Sequence, residues 1–124
     1  MTKIFNGTAH PIVIVKDATF APAIRKWVGG DVSMMLPMNG PLNAKIDTID
    51  GTPIDGIPTF GKKIWNLEPL PDGYDIYVVS SIYATAAKMF WGDKVADKMY
   101  TIADPVYSDD GTSIRGCRGI CPAF

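Results

Sequence analysis

Histidine occurs once in this chain, at His10; arginine occurs three times, at Arg25, Arg115 and Arg118; cysteine occurs twice, at Cys117 and Cys121. A single histidine leaves few ways to pair a nucleophile with a base. Its place beside Pro11, at the entry to an apolar run, suits a backbone hydrogen bond that pins a turn. One histidine and a C-x-x-x-C pair do not complete a tetrahedral zinc set without carboxylates from elsewhere, so no metal or cofactor is expected. Two cysteines are too few for a disulfide framework. The start, Met1-Thr-Lys-Ile-Phe-Asn6, shows no apolar stretch behind a basic segment. No run approaches the roughly 18 apolar residues of a membrane span. The expectation is a cytoplasmic protein with two reduced thiols and no membrane partner.

A basic excess is also lacking. The 12 Lys and Arg against 13 Asp and Glu give a formal charge of −1. Long nucleic acid calls for a basic stripe or surplus and is not an expected partner. A short anionic ligand is compatible, because two or three well-placed arginines suffice for it. No G-x-x-x-x-G-K-[ST] occurs, and no G-x-G-x-x-G follows a strand. Asp47, Asp50, Asp55, Asp109 and Asp110 fall at turns, without the spacing of paired glycosidase carboxylates.

What is present is an ordinary globular composition, 47% hydrophobic and 20% charged, in a length that fits one domain over residues 1–124. A domain of this size buries about two thirds of the surface its unfolded chain exposes. That provides a core but leaves little room for a deep private cleft; a site shared between subunits suits the chain better. The 10 Pro and 12 Gly are scattered, which predicts many short elements joined by tight turns.

Pro11–Val15 is β-branched and reads as a buried strand. Ala18–Gly30 is open between a short helix, on the spacing of Phe20, Ile24, Trp27 and Val28, and a loop insertion. Val32–Leu36 and Ala44–Ile49 read as strands, and Pro58–Pro71 as an irregular stretch. Asp75–Ser80 is a strand. Ser80 or Ser81 then caps a helix over Ile82–Phe90, ended by Gly92. Met99–Ala103 is a further strand, and Val106-Tyr107 pairs with Ile114–Cys117 across the Asp110-Gly111 turn. The expected fold class is α+β, a small and mostly antiparallel β-sheet domain with one or two short helices, forming an oligomer that covers its sheet edges.

Chemistry concentrates in the basic and aromatic residues. Arg115 and Arg118 lie together in Ile114-Arg-Gly-Cys-Arg-Gly119, where glycines allow close approach of a ligand. Arginine presents a planar fork to phosphate and stacks on bases. Trp27, Phe90 and Trp91 sit beside basic residues, in Arg25-Lys-Trp27 and Lys88-Met-Phe-Trp91. The Ser80-Ser81 helix start offers free N–H groups and a positive dipole end.

Four segments in order resemble a family of small phage and bacterial proteins. They are Asn6-Gly-Thr-Ala-His-Pro-Ile-Val-Ile14, Asp55-Gly-Ile-Pro58, Tyr77-Val-Val-Ser-Ser81 with its Ala-rich helix, and Asp110-Gly-Thr-Ser-Ile-Arg-Gly-Cys-Arg-Gly119. The chain is similar across most of its length to the family of the first described Thoeris anti-defence proteins. It departs from the family's Asn-Leu-Thr-Pro-His start at Gly7 and Ala9.

The resemblance implies a phage-encoded sponge, not an enzyme, acting in the host cytoplasm. It would sequester cyclic ADP-ribose isomers, or the cyclic di- and trinucleotides of CBASS defence, at contacts between subunits of a homo-oligomer, a dimer or a hexamer built from dimers. It also implies roles: Arg115 and Arg118 on phosphate or base, Tyr83, Phe90 and Trp91 as stacking platforms, Ser80 and Ser81 as donors, and Asp93 on a ribose hydroxyl or base edge. Arg25 and Lys26 would form a second basic site, while Asn6 and His10 hold the strand entry. The competing expectations are an enzyme that degrades such a nucleotide and an interaction module with no small-molecule ligand.

Overall fold

Short β-branched runs separated by Gly and Pro produce short strands here, and most of them join one curled sheet. The computed structural model describes residues 2–124. The elements run β1 (Ile4–Asn6), β2 (Ile12–Lys16), β3 (Thr19–Ala21), β4 (Lys26–Val28), β5 (Asp31–Leu36), β6 (Ala44–Asp50) and β7 (Phe60–Leu67). Then come β8 (Ile76–Val78), α1 (Ser81–Trp91), α2 (Asp93–Ala96), β9 (Met99–Tyr107) and β10 (Ile114–Pro122). The class is α+β, as expected.

The main sheet has the order β1-β8-β9-β10-β2-β5, with the β3–β4 hairpin joined through β4 to β9. Its longer ladders, β9 with β10 and β2 with β5, are antiparallel. The pairings of β1 with β8, β8 with β9, β2 with β10 and β4 with β9 are parallel and short. β9 changes partner along its length: Met99 and Tyr100 pair with β8, whereas Val106 and Tyr107 pair with β4. Between these halves Asp104 adopts φ 47°, and Pro105 follows it. β10 crosses β2 closely at Gly116, where a Cβ would stand 2.5 Å from the Val13 carbonyl oxygen. Glycine is required there by proximity.

α1 packs on one face of the sheet. Ala84, Ala86 and Ala87 are buried, and these small side chains let the helix lie close to Phe5, Tyr77, Val79 and Met99. Ser80 caps the helix, its Oγ accepting from the Tyr83 N–H at 3.2 Å, and Gly92 ends it at φ 87°. The other sheet face buries Ile12, Val78 and Cys117, with Ile14, Leu36, Tyr100 and Ile120 packed around them.

Two regions differ from expectation. Ala18–Gly30 is neither helix nor loop but the β3–β4 hairpin, in register Phe20 to Trp27. The two rings meet edge to face at 5.4 Å. This cross-strand contact uses the apolar residues that a helix would have placed on one stripe, and Arg25 adopts φ 53° to make the turn. Pro58–Pro71 contains β7, which pairs with β6 from Ala44–Leu67 to Asp50–Phe60. Most of β7 is exposed on both faces, so it carries no alternation to reveal it. The second helix, α2, is a four-residue segment after Gly92. Among the described residues no helix is long and apolar enough to cross a membrane.

Candidate functional site

Where β8 gives way to α1, the strand end, a turn after β1 and the middle of β9 leave a trough. Asn6 builds one wall of it. The side chain is almost fully buried, and its Nδ2 donates to the carbonyls of His10 (3.0 Å) and Leu36 (3.2 Å). Its Oδ1 accepts from the Thr8 N–H at 3.0 Å. The Thr8 hydroxyl stands 2.6 Å from that same Oδ1 and 2.9 Å from the His10 carbonyl, and it can donate to one of them at a time. Asn6 therefore holds the strand entry, as the sequence implied, and shapes Gly7–His10 into a fixed turn.

That turn, Asn43, Ser80, Ser81 and Thr101 line a cavity of about 520 Å³. The Ser81 and Ile82 N–H groups, in the first turn of α1, have no acceptor within the helix and lie at its positive dipole end. Through Ser81 the cavity adjoins a cleft of about 390 Å³ that includes Lys45, Asp47 and Lys62 from the β6–β7 hairpin, Lys45 and Asp47 standing 3.9 Å apart as an ion pair. Through His10 and Ile102 it adjoins an apolar hollow of about 410 Å³ floored by Ile12, Val13, Pro105 and Ile114. The trough thus carries Lys62 and the Lys45–Asp47 ion pair at one end, is rich in donors in the middle and is apolar at the other end.

His10 and Cys117 both line the apolar end. The Cys117 thiol donates to the Val13 carbonyl at 3.6 Å, and burial pushes its pKa up. Both effects keep the proton on sulfur, so Cys117 is a poor nucleophile. Among the described residues no group of three or more His, Cys, Asp or Glu side chains is placed to hold a metal ion.

The arginines gather elsewhere, around the β3–β4 hairpin. The Arg118 guanidinium lies 3.7 Å from the Trp27 ring centroid and forms a 3.0 Å ion pair with Asp104. Arg115 donates to the carbonyls of Gly29 (2.6 Å) and Gly30 (3.3 Å). Both arginines remain exposed. Lys26 donates to the Gly111 carbonyl at 2.8 Å and stands 4.4 Å from the Tyr107 ring centroid, while Arg25 is exposed on the turn beside it. The four predicted basic residues therefore share one corner, where the Trp27 ring already carries Arg118 over it and meets Phe20 edge to face.

The predicted stacking residues form one chain of rings, Tyr83 to Trp91 at 6.5 Å and Trp91 to Phe90 at 6.0 Å between centroids, but they differ in exposure. Tyr83 is fully buried, and its hydroxyl donates to the Glu68 carbonyl. Burial, with Glu68 nearby, pushes its pKa up to about 12. Tyr83 is a core residue, which corrects its expected role as a stacking surface: every face of its ring is already covered. Phe90 is 69% exposed and meets the half-buried Trp91 edge to face at 6.0 Å. Trp91 also lines a hollow of about 580 Å³ with Lys94 and Lys98, and Asp93 is exposed at the start of α2. Ser80 and Ser81 lie at the opposite end of α1, whose 11 residues span about 16 Å.

Sequence reasoning missed Lys45, Lys62, Thr8 and Thr101 at the trough, and Lys94 and Lys98 beside Trp91. Lys45 lies within the strand expected over Ala44–Ile49. Nothing local to the others marks them, because they arrive through strand pairing and helix packing. No protein-family model, no curated protein and no solved structure matches this chain.

Proposed function

We propose that this chain is a phage-encoded sponge. It binds a cyclic nucleotide immune signal, a cyclic ADP-ribose isomer or a cyclic di- or trinucleotide, and withholds it without cleavage, as a homo-oligomer in the host cytoplasm. The observation that carries the reading is the graded trough. The Lys62 ammonium beside the Lys45–Asp47 pair, hydroxyl and N–H donors at Ser80 and Ser81, and an apolar floor follow one another along it, an order that suits phosphate, ribose and base. Arg115, Arg118 and Trp27 on one corner, and Trp91 with Lys94 and Lys98 on another, repeat the pairing of aromatic and cation that grips nucleotides. One chain keeps these groups apart, so a ligand touching more than one of them lies between copies.

A second reading is hydrolysis, with His10, which lines both the donor-rich cavity and the apolar hollow, as general base. The test is to incubate the protein with each candidate nucleotide, isolate the bound fraction, heat it and chromatograph the released material. Sequestration returns the ligand unchanged. Altered products would overturn it in favour of an enzyme, and His10→Ala would then abolish turnover.

A further inference from the structure

The tryptophans differ in what lies over their rings. Trp27 carries the Arg118 guanidinium at 3.7 Å, and Trp65 carries the Lys63 ammonium at 4.1 Å. Among the described residues no cation lies over Trp91; Lys94 and Lys98 instead border, with Trp91, the hollow of about 580 Å³. The walls of this hollow are fixed. Trp91 packs against the core cluster, its ring 6.5 Å from that of Tyr83. Gly92, at φ 87°, then turns the chain so that α2 brings Lys94 and Val95 to the same hollow. The other wall is the connection from β7 to β8. The Tyr83 hydroxyl donates to its Glu68 carbonyl and the Tyr77 hydroxyl to its Pro71 carbonyl, while the Asp75 N–H donates to the Lys3 carbonyl at 2.8 Å. A connection tied in this way holds Leu70 and Asp72 in place before any ligand arrives, which lowers the ordering cost of binding.

We infer that this hollow is a ligand site, complete within one chain, for a small planar ring that carries one anionic group. Its volume falls within the roughly 300–1,000 Å³ of small-molecule sites. Trp91, Leu70 and Val95 give the ring an aromatic and aliphatic surface. Charge sets the sign of the other end. Among the described residues the ion pairs are Lys45–Asp47 and Arg118–Asp104, so Lys94, Lys98 and Asp72 border the hollow unpaired. The ammonium groups outnumber the carboxylate, and a bound anion is attracted on balance. Asp72 comes from the other wall and repels that anion, which keeps the charged end of the ligand with the lysines. The inference goes beyond the sponge reading and does not rest on it: the hollow shares no lining residue with the trough and needs no second copy.

The test is an NMR titration of the full chain with phenyl phosphate and, in parallel, with phenol and with inorganic phosphate. The expected result is saturable movement of the Trp91 indole N–H, with a Kd of about 1 mM or tighter for phenyl phosphate. Phenol and inorganic phosphate should bind roughly tenfold more weakly or worse, since each lacks one end of the ligand. The Trp27 and Trp65 indoles, whose rings are already occupied by cations, should stay in place. Replacing both lysines, Lys94→Gln with Lys98→Gln, should weaken phenyl phosphate by roughly tenfold, whereas Asp72→Asn should tighten it by roughly threefold. These side chains are exposed, so the substitutions leave the fold intact. A Trp91 signal that does not move, equal movement of all the indoles, phenol binding as tightly as phenyl phosphate, or affinities that ignore the substitutions would each overturn the site. Calorimetry with cyclic nucleotides reads the trough separately, so failure of one reading is distinguishable from failure of the other.

Discussion

Asn6→Ala removes a side chain that ties β1, the Gly7–His10 turn and the end of β5 together. The truncation strips the hydrogen-bond donor from the His10 and Leu36 carbonyls and the acceptor from the Thr8 N–H. Each such loss costs about 1 kcal/mol where water can replace the partner, and about 1–3 kcal/mol where it cannot. Thr8 and Leu36 are half-buried and His10 is exposed, so water relieves part of the penalty. The total comes to about 3 kcal/mol, equivalent to a fall of roughly 10–15 °C in Tm for a domain of this size. Urea denaturation should show the midpoint displaced with an unchanged slope, because the native core stays closed. Asn6→Asp is expected to be no better at neutral pH, since a carboxylate would face the two carbonyl oxygens. A loss below about 1 kcal/mol for Asn6→Ala would refute the claim that this side chain organises the trough wall.

Three further outcomes follow from the geometry. Gly116→Ala drives a methyl group into the Val13 carbonyl and should destabilise the fold by about 1–3 kcal/mol in the same denaturation assay; a neutral effect would mean that β2 and β10 are not in close contact. Arg118→Ala loses an exposed ion pair and a stacking contact and should cost less than about 1.5 kcal/mol of stability, yet weaken nucleotide binding at least tenfold by titration; unchanged binding would remove that corner from the site. Hydrogen bonds from Ser108 and Thr112 hold the Asp110 carboxyl at about 2, below its ordinary value. The turn's contribution is therefore complete above the unfolded value near 4 and is lost as pH falls through about 2. An NMR titration of Asp110 with a midpoint near 4 would contradict this.

The unit from β8 through Ser80 and α1 to Gly92 is legible because each signal is local. β-branched residues mark the strand, a hydroxyl the cap, alanines the helix and a left-handed glycine its end. The β9–β10 hairpin was legible at Asp110-Gly111 for the same reason, although both strands run further than their apolar cores suggest. β3–β4 was not, since Phe20, Ile24 and Trp27 satisfy helical spacing and a cross-strand pair equally well. β7 was hidden because a strand exposed on both faces has no hydrophobic period to read. The site divides along the same line. Ser80 and Ser81 follow from capping chemistry, and the Arg115–Arg118 corner follows from composition. The trough itself is made by tertiary pairing: Lys62 enters from β7, Thr101 from β9 and Thr8 from a turn fixed by a buried asparagine. Tyr83 was misplaced because, in sequence, a tyrosine near a helix start looks the same whether it faces the core or a ligand.

The central claim is that this chain holds a cyclic nucleotide tightly. Calorimetric titration of the purified protein with cyclic ADP-ribose isomers and with cyclic di- and trinucleotides tests it most directly. The account predicts saturable binding of at least one of them, at a fixed ratio to the chain and weakened by salt as its lysines and arginines are screened. No heat of binding with any of these ligands, together with no shift in Tm when they are added in excess, would contradict it.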